Sequence, residues 1–153
     1  MEGLYNHKIV VPESAIDIHR HVNNIEYLRW MQDIATAHST ARGWPWQRYI
    51  DMGQSWVIRS NHIDYLRPAL LGDEITVLTW IAGFDRVSSP RRYLFWRERD
   101  GKVLARGETV WTFVDLQSGR PRAVPQEFMA SFTVIADEEA VIAWLLHKSR
   151  AVV

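Results

Sequence analysis

The sequence predicts an α+β chain in which one long helix is followed by a mostly antiparallel sheet of about five strands and a helical tail. From Asn24 to about Arg42, Leu28, Met31, Ile34, Ala35 and His38 recur at the spacing of one helical face. Extended runs follow at residues 55–66, 74–82, 92–98 and 103–114, each bounded by turn-forming residues. The last two are joined through Asp100-Gly101, and that dipeptide between strand-like runs marks a hairpin. A sheet of this kind can wrap a helix and bury one face against it.

Each element has its own signals. Residues 5–11 alternate loosely and stop at Pro12, as a first strand would. A polar loop then leads to Asn23, which with Glu26 three residues later forms a variant of the capping box. Gly43 and Pro45 end the helix. Pro68 closes the second strand, Gly83 the third, and Ser118-Gly119-Arg120-Pro121 turns the chain out of the sheet. The tail holds residues 125–132 and a last helix at about 137–147, with Val141, Trp144 and Leu145 on one stripe. With no repeat or linker, residues 1–125 form one domain and residues 126–153 its C-terminal helical extension.

Composition excludes several functions. At 153 residues the chain fits a single core that needs no disulfides. Its 18 basic residues balance its 18 acidic ones, so no nucleic-acid partner is expected. The lack of cysteine removes a thiol nucleophile and a Cys-based zinc site. No apolar run approaches the ~20 residues of a membrane span, and the N-terminus lacks a signal-peptide core. The expected setting is cytoplasmic. Eight tryptophans are many for this length, and such surface belongs in cores and interfaces.

The chemistry concentrates in Asp17-Ile18-His19-Arg20-His21-Val22-Asn23-Asn24, which places a carboxylate, two imidazoles and two amides directly before the long helix. A helix start presents unpaired N–H groups and a partial positive charge. An acid held there can attack a carbonyl, or direct water at it, while the N–H groups polarise its oxygen. The plainer reading makes Asp17 an acid beside a helix terminus, worth a few tenths of a kcal/mol, and the two asparagines caps. A metal reading also exists. Asp17, His19 and His21 alternate, so an extended backbone points them one way, and His62 would complete a zinc-type set. The barrel hydrolases that use a His-x-His pair need about 250 residues, however. No metal and no cofactor are expected.

Three segments carry a family resemblance. Residues 17–27, Asp64-Tyr65-Leu66-Arg67-Pro68-Ala69-Leu70-Leu71-Gly72-Asp73, and residues 113–121 resemble, in order and spacing, the hotdog-fold acyl-thioester hydrolases. The nearest branches are the 4-hydroxybenzoyl-CoA thioesterase-like and bacterial long-chain acyl-CoA enzymes, and the first segment is also similar to plant acyl-ACP thioesterases. The resemblance implies a hotdog fold and hydrolysis of an acyl-CoA or aryl-CoA thioester. It makes Asp17 the general base or nucleophile, with His21 and Asn24 assisting. The thioester oxygen would lie against the helix start near His21 and Val22, beside Asn23. His19 stands where the plant enzymes carry Asn, and Arg67-Pro68-Ala69 lacks the acid and cysteine those enzymes place there. Acyl-CoA is therefore favoured over acyl-ACP. Asp33 matches the place of a helix glutamate in relatives.

Substrate contacts are more open. Trp30, Met31, Trp56 and Ile58 are candidates for an acyl tunnel along the helix. Arg86, Arg91, Arg92, Arg120 and Arg122, expected in turns or strand ends, are candidates for CoA phosphates. An open sheet edge favours pairing between copies, so a homodimer or homotetramer is expected. A non-catalytic acyl-CoA binder and a hotdog dehydratase or hydratase are the alternatives. The second lacks its Asp/His signature here.

Overall fold

The computed structural model describes residues 1–151; the last two residues of the expected extension lie outside that range. Strand β1 (Tyr5–Val10) leads through a short 3-10 turn (Glu13–Ala15) and a loop to α1 (Asn24–Ala41). Helix α2 (Trp46–Met52) and strands β2 (Gln54–Tyr65), β3 (Glu74–Ile81), β4 (Ser88–Arg97) and β5 (Lys102–Asp115) follow. Helices α3 (Gln126–Ala130) and α4 (Glu138–Ala151) complete the chain. The five strands form one antiparallel sheet in the order β1-β3-β4-β5-β2. This is the expected α+β hotdog arrangement, with the long helix held against the sheet.

The two-residue period of a strand explains how both faces are used. Val77, Tyr93, Phe95 and Ala105 point to one face and pack with Tyr27, Met31 and Ile34 of α1. The alternate residues Leu78, Trp80, Leu94 and Trp96 point to the other, where Val141 and Leu145 of α4 cover them. Burial on both faces makes β3 an almost continuous apolar run. A third cluster, built on Trp44, Tyr49, Phe113 and Phe128, closes the end of α1 remote from Asp17.

Gly107 on β5 makes room for a side chain of α1. A Cβ added there would sit 3.0 Å from Met31 Cε, so the missing side chain is what lets α1 seat. Beside it Phe95 is fully buried, edge-on to Tyr27 with ring centroids 5.0 Å apart. Phe95→Ala is expected to cost about 3–5 kcal/mol, read from the shift of a urea unfolding midpoint at constant slope.

Two elements depart from the sequence expectation. Helix α2 was not expected after Gly43 and Pro45. Pro45 is its N-cap residue and Gly53 takes a left-handed φ of 69° at its C-terminal end, the Pro-first, Gly-last signature of a helix. Strand β4 starts at Ser88 and not at 92, and it contains Pro90. Proline is tolerated because β3 reaches only to the partner of Arg91, so the missing N–H lies beyond that ladder.

Candidate active site

The loop before α1 is held by its own backbone. Ile16 and Val22 form an isolated bridge across it. The Asp17 N–H donates to the His21 carbonyl at 2.8 Å, and the Arg20 N–H donates to the Asp17 carbonyl at 3.0 Å. Closing so tight a loop puts Arg20 at φ 62°, a left-handed conformation uncommon for a side-chain-bearing residue. Within the loop the Asp17 carboxylate works as an acceptor. Its Oδ1 takes the N–H groups of His19 at 2.9 Å and His21 at 3.3 Å. No hydrogen bond to Oδ2 is made among the described residues.

The next groups dock the loop and start the helix. The Val22 N–H donates to the Ala69 carbonyl at 2.9 Å and the Asn23 N–H to Ala15 at 2.8 Å. Asn23 is the N-cap, and its Oδ1 accepts the Ile25 N–H at 3.1 Å. The reciprocal half of the capping box is absent, because Glu26 turns to Arg29 at 3.5 Å. Asn23→Ala is expected to lower stability by about 1 kcal/mol, measured by thermal unfolding. With the His21, Val22 and Asn23 N–H groups engaged, Asn24 offers the first N–H without a partner among the described residues. The open donor thus lies two residues beyond Val22, where the resemblance had pointed.

These residues line one cavity of about 480 Å³. Asp17, His19, His21, Val22 and Asn24 line it together with Tyr27 and the segment from Tyr65 to Pro68. Burial pushes the Tyr27 hydroxyl up to about 12 and raises that of Tyr65 as well, so both are neutral donors near pH 7. The Tyr65 hydroxyl donates to the Asn24 carbonyl at 3.4 Å and ties the end of β2 to the helix start. Both tyrosines fall inside the resembling segments, but sequence spacing assigned them no role.

Other candidates are placed elsewhere. His62 faces Asp64 at 3.1 Å. No group of three or more metal-binding side chains occurs among the described residues. Asp33 is exposed on α1. Met31 lies in the core. Arg91, expected at a turn or strand end near CoA phosphates, is instead inside β4 and only 5% exposed. It lines a second cavity together with Trp56, so the sequence candidates divide between two sites.

His38, on the buried stripe of α1, lies beside that second cavity. It stacks on Tyr5 with centroids 5.0 Å apart and accepts an Arg91 Nη1–H at Nδ1, 2.8 Å away. Burial first, then the Arg91 and Arg42 cations, lower its pKa from 6.5 to about 3. An unfolded chain takes a proton on this histidine below about pH 6.5, and the folded one does not until near pH 3. The neutral-His contribution is therefore complete above about pH 6.5 and lost as pH falls toward 3, by up to about 1.4 kcal/mol per unit. In His38→Gln this part of the acid dependence is expected to vanish when unfolding free energy is followed from pH 7 to 4.

Comparison with known proteins agrees with this fold. The long-chain acyl-CoA thioesterase FadM of Escherichia coli (strain K12) is 24% identical over 115 residues, covering 73% of this chain and 84% of the relative. Slr0204, a 1,4-dihydroxy-2-naphthoyl-CoA thioesterase from Synechocystis, superposes with a TM-score of 0.78 at 18% identity over 84% of this chain and 95% of its own. SAV2348 from Staphylococcus aureus, solved in complex with CoA, gives 0.80 at 19% identity over 92% and 93%. Residues 10–132 match the Thioesterase-like superfamily, and with the loop, helix start and sheet already described, the chain belongs to that family of thioester hydrolases.

Proposed function

We propose that the protein hydrolyses an acyl-CoA thioester, fatty acyl or aryl, in the cavity between Asp17 and Tyr65. Asp17 takes the proton of an attacking water, or attacks the carbonyl carbon itself. The developing oxyanion accepts the Asn24 N–H at the positive end of α1. The carbon–sulfur bond then breaks and CoA leaves as thiolate, to which His21, which also lines the cavity, returns a proton. Where Asp17 is the nucleophile, water then hydrolyses the acyl-Asp17 anhydride to free acid and carboxylate. A thioester is already activated, so one positioned carboxylate and one electrophilic helix end are sufficient machinery.

The observation that supports this reading is the shared cavity, which Asp17 and Asn24 both line, Asn24 being the first helix residue and its N–H unengaged among the described residues. The named activity of FadM and the CoA complex of SAV2348 support CoA as the carrier. The site also has the character of one completed by a second copy. Ile18, Ile25, Leu66 and Leu71 are exposed around the loop and the turn that walls the cavity, and β2 is an edge strand paired only to β5. Edge pairing would satisfy the free backbone groups and cover that apolar surface. A homodimer, or a homotetramer built as a dimer of dimers, is the proposed assembly. A monomer by light scattering at micromolar concentration would count against the two-chain site.

The decisive experiment is a panel of acyl- and aryl-CoAs, with matched acyl-ACPs, following thiol release with a thiol-reactive dye. Turnover of CoA esters is the expected result. Binding without thiol release would instead make the chain an acyl-CoA binder.

A further inference from the structure

We propose that the second cavity, at the far end of α1, binds an aromatic carboxylate, with Arg91 pairing the carboxylate and the surrounding rings enclosing the aryl group. The cavity measures about 210 Å³. A dry cavity of about 150 Å³ accepts benzene, so a ring carrying a carboxylate fits here. Trp44, Trp56, Trp111 and Phe128 supply aromatic walls, and Ser55 and Ser89 add hydroxyls.

The charge is what calls for a ligand. Buried cations in proteins are paired, because an unpaired one forfeits its hydration without compensation. Arg91 has no such partner among the described residues. Both of its hydrogen bonds leave from Nη1, one to His38 Nδ1 at 2.8 Å and one to Thr79 Oγ1 at 3.1 Å. His38 is held neutral, so it lends a lone pair and no charge. The nearby titratable groups that favour the Arg91 cation are the Tyr93 and Tyr49 phenols, not carboxylates. A planar guanidinium with Nε and Nη2 uncommitted is the usual partner of a carboxylate, which it grips through two parallel N–H groups. The indole N–H groups of Trp56 and Trp111 face the Tyr49 and Tyr93 hydroxyls outside hydrogen-bonding geometry, so the polar groups around Arg91 are not saturated.

This cavity is distinct from the one at Asp17. Asn24 borders the first and Ala35 the second, roughly 16 Å apart along the helix axis. Between them Met31 is seated against Gly107 and joins helix to sheet. The proposal does not depend on thioester hydrolysis.

The test titrates the full-length protein with benzoate, benzamide and acetate, following tryptophan fluorescence, since four tryptophans border the cavity. Benzoate is expected to bind at least tenfold more tightly than benzamide, which has its shape without its charge, and than acetate, which has its charge without the ring. Arg91→Met is expected to bring benzoate down to the benzamide level, and Arg91→Lys, which keeps the charge but not the planar fork, to weaken it several-fold. Asp17→Asn is expected to bind benzoate as the wild type does. Equal binding of benzoate and benzamide to the wild type would overturn the proposal even if neither arginine variant folds. Benzoate binding that survives Arg91→Met, or that is lost in Asp17→Asn, would overturn it too.

Discussion

Asp17→Asn is expected to lower kcat/KM for acyl-CoA by about 10²–10⁴-fold, the range associated with a positioned general base, while the unfolding midpoint stays close to that of the wild type. The two halves of this result have separate causes. Asn keeps an Oδ1 acceptor for the His19 and His21 N–H groups, so the loop and its left-handed Arg20 retain their support. What it loses is basicity and charge next to the helix start. Steady-state kinetics and a thermal melt on the same preparation check both halves. Turnover that persists unchanged would leave Asp17 a loop acceptor and remove the proposed mechanism.

Asp73→Ala is expected to cost about 3 kcal/mol and to shift Tm by roughly 6–12 °C. Asp73 is buried, and its two oxygens accept from Arg97 at 3.3 Å, Arg99 at 3.2 Å and the Leu70 N–H at 3.0 Å. The estimate lies at the low end for breaking a buried ion pair. Arg97 keeps a two-nitrogen contact to Asp100 at 3.0 and 2.8 Å, so no buried charge is left alone. The consequence extends to the site, because Arg97 also donates to the Pro68 carbonyl and the neighbouring Ala69 carbonyl holds the Val22 N–H. Asp73 therefore supports the wall of the proposed active site from behind. A loss below 1 kcal/mol in urea unfolding would show that the turn is held without it.

Most elements were legible because their signals are local. The stripe through Met31, Ile34, Ala35 and His38 is a helical face whatever it packs on, and Asp100-Gly101 makes a hairpin from its own geometry. Pro45 and Gly53 bracketed α2 with an equally local signal, hidden because Gly43 and Pro45 were read only as the end of α1. The start of β4 at Ser88, four residues before the expected one and across Pro90, is not local in this way. Whether a proline interrupts a strand depends on how far the neighbouring strand reaches, and a single stretch of sequence does not carry that.

The site divides along the same line. The sequence by itself determined that Asp17, His21 and Asn24 stand together before a helix, because residues so close in the chain cannot be far apart in space. It also determined the α+β class, since periodicity is a property of consecutive residues. Only the tertiary structure decided which N–H remains open, because Ala69, Ala15 and the loop itself engage those of Val22, Asn23 and His21. Only it brought Trp56 and Arg91 together, 35 positions apart in the sequence, around a buried cation that no neighbouring carboxylate neutralises. Hydrogen-bond satisfaction and charge compensation depend on everything within a few ångströms, and those neighbours come from every strand of the sheet.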